Sequence, residues 1–187
     1  MKLTDIYEVN VAIGSEMDSN VTVDNDIKND EVTQQLLKDL KIASQRSGVK
    51  VRITTAKSDH NVKTTSGNVS RHSTNDAVDI SRLNGIGSNG ATNSINGNSE
   101  FRKYGNKLKD ELVKLGYTWN SEKGNPKAVL WQTDIGGNHY NHLHVSNKDG
   151  SIPSGDYGGD SSGDDDSSDE LTKSLLSIST RFNDLTK

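Results

Sequence analysis

Two stretches of the chain carry apolar residues in steps of three and four, the spacing of an amphipathic helix. The first covers about residues 30–47, where Asn29 or Asp30 can cap the N-terminus and Gly48 ends the helix. The second covers about residues 99–115. The apolar positions are Val32, Leu36, Leu37, Leu40 and Ala43 in the first stretch, and Phe101, Tyr104, Leu108, Leu112 and Leu115 in the second. The pattern predicts two helices, each with one buried face.

Shorter apolar runs predict strands between and after these helices. The run "VKVRITT" alternates between apolar and polar residues from Val49 to Thr55. Three further short runs are "DAVDI" (76–80), "AVLWQ" (128–132) and "HLHVS" (142–146). Residues 1–27 are mostly polar, and only "YEVNVAI" shows a weak strand-like alternation. The segment "NGIGSNGATNSINGNS" is rich in glycine, asparagine and serine, which predicts a mobile loop.

The apolar pattern of the domain stops after Lys148. Residues 149–168 are Gly, Ser and Asp with one proline, which predicts a disordered, self-repelling acidic linker. Its aspartates lack the spacing and the final glutamate of a calcium loop. In residues 169–187 the apolar positions step by four and three, as in a coiled-coil seam: Leu171, Leu175, Ile178, Phe182 and Leu185. A helix this short is marginal alone, so it either docks on its own domain or, as the long linker favours, pairs with itself or a partner helix.

Composition and charge narrow the classes of protein to be considered. The 187 residues suffice for one domain with appendages, and the absence of cysteine excludes disulfides and thiolate metal sites. No apolar run has the length of a signal peptide or a membrane span, so we expect a chain made without an export signal and without membrane insertion. Residues 151–187 contain eight acidic and three basic residues, whereas the rest is nearly neutral. A nearly neutral body gives no electrostatic reason to bind nucleic acid.

Three of the five histidines lie within "GGNHYNHLHVS" (136–146). Positions two apart in a strand share a face, so His142 and His144 point the same way while Leu143 and Val145 point to the core. That alternation is what a sheet lining a cleft requires. The plain alternative is a pair of surface histidines on an exposed sheet face.

A second segment, upstream in the chain, favours a functional site over a chance pair of surface histidines. The run "SRHSTNDAVDIS" places His72 and Asp79 seven residues apart, with Ser70 two before the histidine and Ala77 two before the aspartate. Asn75 stands at the turn between them, where a positive φ is often required and asparagine tolerates it. Two imidazole nitrogens and one carboxylate suit zinc with the fourth position left to water, which is the arrangement of a catalytic site.

These two segments together resemble a known family of zinc peptidases. The run "SRHSTNDAVD" (70–79) resembles the Ser-x-His-x-x-Gly-x-Ala-x-Asp motif of the D-alanyl-D-alanine carboxypeptidases, dipeptidases and phage endolysins that cut peptidoglycan. The run "HYNHLH" (139–144) is similar to the His-x-x-His-x-His ending of the murein endopeptidase branch. The resemblance covers roughly residues 28–147. It implies an α+β fold with a small antiparallel sheet and flanking helices, shared with the hedgehog signalling domain.

The resemblance also implies a role for each matched residue. His72, Asp79 and His144 would bind Zn²⁺, which lowers the pKa of its water to about 7 and polarises a carbonyl. His142 would be the imidazole beside that water, and His139 stands where many members carry a catalytic glutamate. Without that glutamate the base would be an imidazole, whose ordinary pKa is near 6.5. We expect one of the two catalytic histidines to act as base and the other to stabilise the oxyanion or protonate the leaving amine.

The chain departs from the family pattern at several positions. Asn75 replaces the turn glycine, and the arginine usually found after the first strand is missing. Lys57, in "ITTAKS", offers a point charge for a substrate carboxylate or phosphate instead. Lys57 and Ser70 are therefore the candidate substrate-binding residues. Trp131 and Tyr140 either pack in the core or form a cleft wall for a sugar or peptide stem.

The resemblance thus implies a zinc-dependent peptidase acting on amide bonds of peptidoglycan stem peptides or cross-links. We expect an N-terminal extension (1–27), a catalytic domain (28–148), a linker (149–168) and a C-terminal helix (169–187). A cell-wall enzyme without a visible signal peptide is typical of phage lytic proteins, and the C-terminal helix suggests attachment to a second copy or to a virion tail protein. We therefore expect a phage lytic or tail component. It would sit in the virion tail, or in the host cytoplasm before release to the cell wall. The alternative is a non-catalytic structural virion module that retains the fold and metal site.

Overall fold

The computed structural model describes residues 9–58, 61–64, 67 and 69–148, so the predicted linker and C-terminal helix lie outside the described residues. The strands are β1 (Asn10–Ala12), β2 (Val21–Val23), β3 (Glu31–Thr33), β4 (Val51–Thr55), β5 (Ala77–Leu83), β6 (Ile86–Gly87), β7 (Thr118–Trp119), β8 (Lys127–Leu130) and β9 (Leu143–Asn147). The helices are α1 (Gln34–Ser47) and α2 (Ser99–Lys114), with a 3-10 turn at Ile13–Glu16. The α+β class is confirmed. Within the described ranges, no helix combines the length and apolar content needed to cross a bilayer.

The main sheet of the described chain differs from the small antiparallel sheet that was predicted. It has seven strands in the order β2-β4-β5-β9-β8-β7, with β6 paired to β5, and β1 and β3 form a separate pair. β2 runs parallel to β4 and β7 runs parallel to β8, so the sheet is mixed. The parallel pairs arise because the chain crosses over between partners, through β3 and α1 in the first case. β2 and β7 have only three and two residues, too few to show a period.

The first helix begins later than its apolar pattern predicts. α1 starts at Gln34, and Val32 belongs to β3, where it pairs with Val11 of β1. A sheet partner from the N-terminal segment therefore takes the residues expected to form the first helical turn. The end of α1 is as predicted, since Gly48 closes it with a left-handed φ of 66°. α2 matches its predicted span, and the Asn98 side chain caps it by accepting backbone amides.

The core lies between the two helices and one face of the sheet. The helical apolar faces meet β-strand residues such as Val78 and Val145. Most of these residues are almost fully buried, and Tyr104 and Leu115 are partly buried at the edge of the core. The segment predicted as an N-terminal extension takes part as well, because Ile13, Val21 and Ile27 are fully buried. Residues 9–27 are thus packed against the same core as the predicted domain.

Trp131 follows β8 and anchors α2 to the sheet. Its ring is fully buried and meets Phe101 edge-on, with ring centroids 5.5 Å apart. The indole Nε1 donates to the side-chain oxygen of Asn106 at 2.9 Å. Gly105 provides the space on α2, because a Cβ there would lie 2.2 Å from Trp131 Cζ2. Of the two roles considered for Trp131, core packing is the one observed.

The pairing of β5 with β9 places core residues on one face of the sheet and the residues of the site on the other. Val78 pairs with Val145, and Asp79 pairs with His144, directly across the two strands. Because side chains alternate between the faces of a sheet, the valines enter the core while Asp79 and His144 project from the opposite face. The sheet thereby holds a carboxylate and an imidazole side by side on rigid backbone.

Candidate metal centre

Three side chains bring ligand atoms together on the face of the sheet opposite the core. Asp79 Oδ1 lies 2.9 Å from His144 Nδ1 and 3.2 Å from His72 Nε2. The two nitrogens are 3.1 Å apart, and all three residues are buried. Ligands bound tetrahedrally at ~2.0–2.2 Å from one ion are separated by ~3.3–3.6 Å, which is close to these distances. The group predicted from the sequence is brought together and could hold a metal ion.

The turn before β5 places His72 opposite the two strand residues. The Ser70 hydroxyl accepts the amide of His72 at 3.3 Å, and the His72 carbonyl accepts the amide of Asn75 at 3.2 Å. Asn75 has a φ of 66°, the left-handed conformation predicted for this position. The chain can therefore reverse within a few residues and carry His72 to Asp79.

Charge at this centre is arranged around a protonated His144. Burial lowers the pKa of His144, but hydrogen bonds to the carboxylates of Asp79 and Glu122 outweigh burial and raise the pKa to about 9. Burial also disfavours the Asp79 carboxylate, yet the hydrogen bonds from His144 and His72 hold the pKa of Asp79 well below its usual range. At neutral pH the metal-free centre therefore holds an imidazolium between carboxylates. A metal ion at Nδ1 of His144 would replace that proton.

His142 stands at the open edge of the centre. Its Nε2 is 3.7 Å from Asp79 Oδ1, and its Nδ1 is 2.7 Å from the side-chain oxygen of Asn141. The side chain keeps 21% of its surface exposed, unlike those of the three candidate ligands. His142 precedes β9 rather than lying in it, but its imidazole still faces the same group.

His139 packs behind His142 and is held neutral. Its ring centroid is 4.9 Å from that of His142 and 5.7 Å from that of His144. Burial first, and then electrostatic interactions with His142 and His144, lower the pKa of His139 to about 4. Its Nδ1 donates to the carbonyl of Gly137 at 3.0 Å, so in the neutral ring Nε2 is the nitrogen that can accept a proton.

Two residues at the centre were not predicted from the sequence. Glu122, between β7 and β8, places Oε1 3.1 Å from His144 Nε2 and 2.9 Å from the Ser146 hydroxyl. Arg71 Nε lies 3.3 Å from the same carboxylate oxygen. The segment around Glu122, "NSEKGNP", reads only as a polar turn, and Arg71 does not stand where the family carries its arginine. No local signal marks either residue.

An open cleft of about 740 Å³ leads to the centre. His72, His139 and His144 form part of its wall, and the other lining residues include Ser70, Val69, Ile135, Lys123 and Lys148. This volume falls in the range of ~300–1,000 Å³ that is usual for ligand sites. Lys57 is exposed and is not among the residues lining this cleft, so its role in substrate binding stays a prediction. Ser70 lines the cleft, but its hydroxyl is engaged with the His72 turn.

Fold and site together define an α+β domain with a buried His–Asp–His group open to a cleft. Comparison of the chain with protein-family models, with curated proteins and with solved structures gave no match in any of the three.

Proposed function

We propose that this protein is a zinc-dependent peptidase that hydrolyses amide bonds in the stem peptides or cross-links of peptidoglycan. The observation that supports it is the set of three ligand atoms, His72 Nε2, Asp79 Oδ1 and His144 Nδ1, separated by no more than 3.2 Å. Two nitrogens and one oxygen suit zinc, whereas calcium and magnesium take oxygen ligands. Three protein ligands leave one tetrahedral position for water or substrate, which distinguishes a catalytic from a structural zinc site.

The imidazoles beside the ligands supply the proton transfers. A zinc ion bound here would lower the pKa of a coordinated water to about 7 and polarise the scissile carbonyl. His142 is the best-placed general base, because its Nε2 lies 3.7 Å from a ligand atom and 21% of its side chain is exposed. After taking a proton from the attacking water, it can return that proton to the leaving amine.

His139 supports this step without carrying charge. It is buried against His142, and its lowered pKa keeps it neutral at pH 7. A second imidazolium beside a dication would oppose metal binding, so a neutral ring is the form compatible with the site. Its Nε2 can accept a hydrogen bond within the cleft, which suits a residue that orients water or substrate.

The substrate class rests on the resemblance of both motifs to peptidoglycan-cutting enzymes. The cleft is compatible with it, since Lys123 and Lys148 provide positive charge for peptide carboxylates and Val69 and Ile135 provide apolar wall. The spacing of His139, His142 and His144 resembles that of the endopeptidase branch, so we favour cleavage within the peptide over removal of a terminal residue. A non-catalytic structural virion module with the same metal site is the alternative.

Digestion of purified peptidoglycan tests the proposal. We expect the full chain to release new amino termini, a chelator to stop the release, and added zinc to restore it. His144→Ala removes one ligand and is expected to abolish cleavage, whereas Trp119→Ala, which changes an exposed ring outside the cleft lining, should retain it. Mass spectrometry of the fragments identifies the bond that is cut. Zinc bound without any cleavage would refute the peptidase and favour the structural module.

We further propose that residues 149–187 tether the domain to a larger assembly such as a phage tail. The support is the acidic Gly/Ser/Asp linker followed by the coiled-coil seam. Truncation after Gly150 is expected to abolish self-association or incorporation into particles while leaving cleavage of soluble fragments intact. Size-exclusion chromatography with light scattering measures the first, and particle proteomics the second. A truncated chain that still assembles like the full chain would refute the tether.

A further inference from the structure

Glu122 contacts the edge of His144 that faces away from the candidate metal position. The ring nitrogen near Asp79 and His72 is Nδ1, at 2.9 and 3.1 Å, whereas the nitrogen near Glu122 is Nε2, at 3.1 Å. The two nitrogens lie on opposite sides of the imidazole ring. Glu122 therefore cannot share an ion with Asp79 through this ring, and its carboxylate must act through His144.

A neutral imidazole carries its single proton on one nitrogen or the other. Metal binding through Nδ1 of His144 requires the lone pair there and the proton on Nε2. A carboxylate oxygen accepts hydrogen bonds and donates none, so Glu122 favours the proton on Nε2. Ligating histidines commonly donate their second nitrogen to a carboxylate in this way, which fixes the ring and strengthens the ligand.

The carboxylate of Glu122 is itself held in place from two sides. Its Oε1 accepts the hydroxyl of Ser146 at 2.9 Å and faces Arg71 Nε at 3.3 Å. Arg71 also donates to the backbone carbonyls of Glu122 and Asn125, both at 2.6 Å, and of Pro126 at 2.9 Å. Arg71 therefore secures the loop that carries Glu122. Ser146 shares the sheet face of His144, two residues along β9.

We propose that Glu122 is a positioning residue that accepts the Nε2 proton of His144 and fixes the ring, so that Nδ1 is the nitrogen that binds a metal ion when the ion displaces its proton. We propose also that Arg71 fixes the loop on which Glu122 stands. This inference rests on the metal site of the proposed function. It does not depend on peptidase activity, because metal affinity can be measured directly.

The test is zinc affinity of the full chain, measured by competition with a chromophoric chelator. Glu122→Ala is expected to weaken zinc binding about 10–100-fold, the usual cost of losing an outer-shell partner. Glu122→Gln keeps an amide oxygen that can accept from Nε2, so its affinity should recover to within about tenfold of wild type. Glu100→Ala removes an exposed carboxylate on α2 and serves as the matched control. The visible spectrum of the cobalt-substituted proteins should change for Glu122→Ala and not for the control.

The possible results distinguish the role of Glu122 from the metal site and from the peptidase activity. Zinc affinity of Glu122→Ala equal to wild type would overturn the positioning role while leaving the metal site intact. Equal losses of affinity in the alanine and glutamine variants, accompanied by equal losses of metal-free thermal stability, would show a general structural role and overturn it too. A wild-type chain that binds no zinc would overturn the metal site and this inference together. Zinc binding without hydrolysis would refute only the peptidase.

Discussion

Replacing Asp79 with asparagine is expected to abolish tight zinc binding and, with it, hydrolysis of peptidoglycan peptides. Asp79 Oδ1 is the atom common to the centre, within 3.2 Å of nitrogens of both His144 and His72. The amide oxygen keeps the shape but loses the negative charge. The loss should exceed the ~10–100-fold that outer-shell changes cost, because a ligand itself is altered. Elemental analysis after dialysis measures the zinc retained, and mass spectrometry measures cleavage.

The control for this experiment is the same substitution at an exposed aspartate. Asp110 lies on α2 with 59% of its side chain exposed, so Asp110→Asn should bind zinc and cleave as wild type does. The metal-free forms of both variants should first be compared by circular dichroism, which separates loss of a ligand from loss of fold. One equivalent of zinc retained by Asp79→Asn at wild-type affinity would contradict the ligand set.

Zinc affinity is expected to rise with pH, by about 100-fold between pH 6 and pH 8 at one proton per ion. In the metal-free protein the pKa of His144 is about 9, so this side chain is protonated throughout that range. Zinc must displace the Nδ1 proton, and each pH unit below the pKa costs about a factor of ten in apparent affinity. Competition titrations at several pH values measure the slope. An affinity independent of pH would contradict displacement of a His144 proton by zinc.

The stability of the metal-free protein should fall as the pH rises, whereas its zinc affinity should rise. A pKa raised from 6.5 to about 9 in the folded state means that the contribution of His144 is fully present below pH 6.5 and is lost as pH rises through about 9. Thermal unfolding of the metal-free chain should therefore show a falling midpoint across this window, while the increase produced by zinc should grow. At the acid end, the pKa of Glu122 is about 2, so its contribution is present above pH 4.5 and lost as pH falls through about 2.

Local periodicity in the sequence was sufficient to predict the helices and strands whose formation depends mainly on neighbouring residues. α2, β4 and the end of α1 at Gly48 follow directly from apolar spacing and from the residues that stop a helix. The same holds for the positive φ of Asn75, because the preference of asparagine for that conformation is a property of the residue. The alternation around His144 likewise places Leu143 and Val145 in the core.

The sequence by itself determined the identity of the candidate ligands, since His72, Asp79 and His144 stand in two recognisable motifs. Only the tertiary structure decided how they are supported. Glu122 lies 22 residues from His144, and Arg71 lies 51 residues from Glu122, so their contacts depend on sheet order and loop path. Sheet order and loop path also decide the pairing of β3 with β1 and the two parallel strand pairs. Hydrogen bonds between distant segments form only when the chain closes, and no local pattern of side chains encodes them.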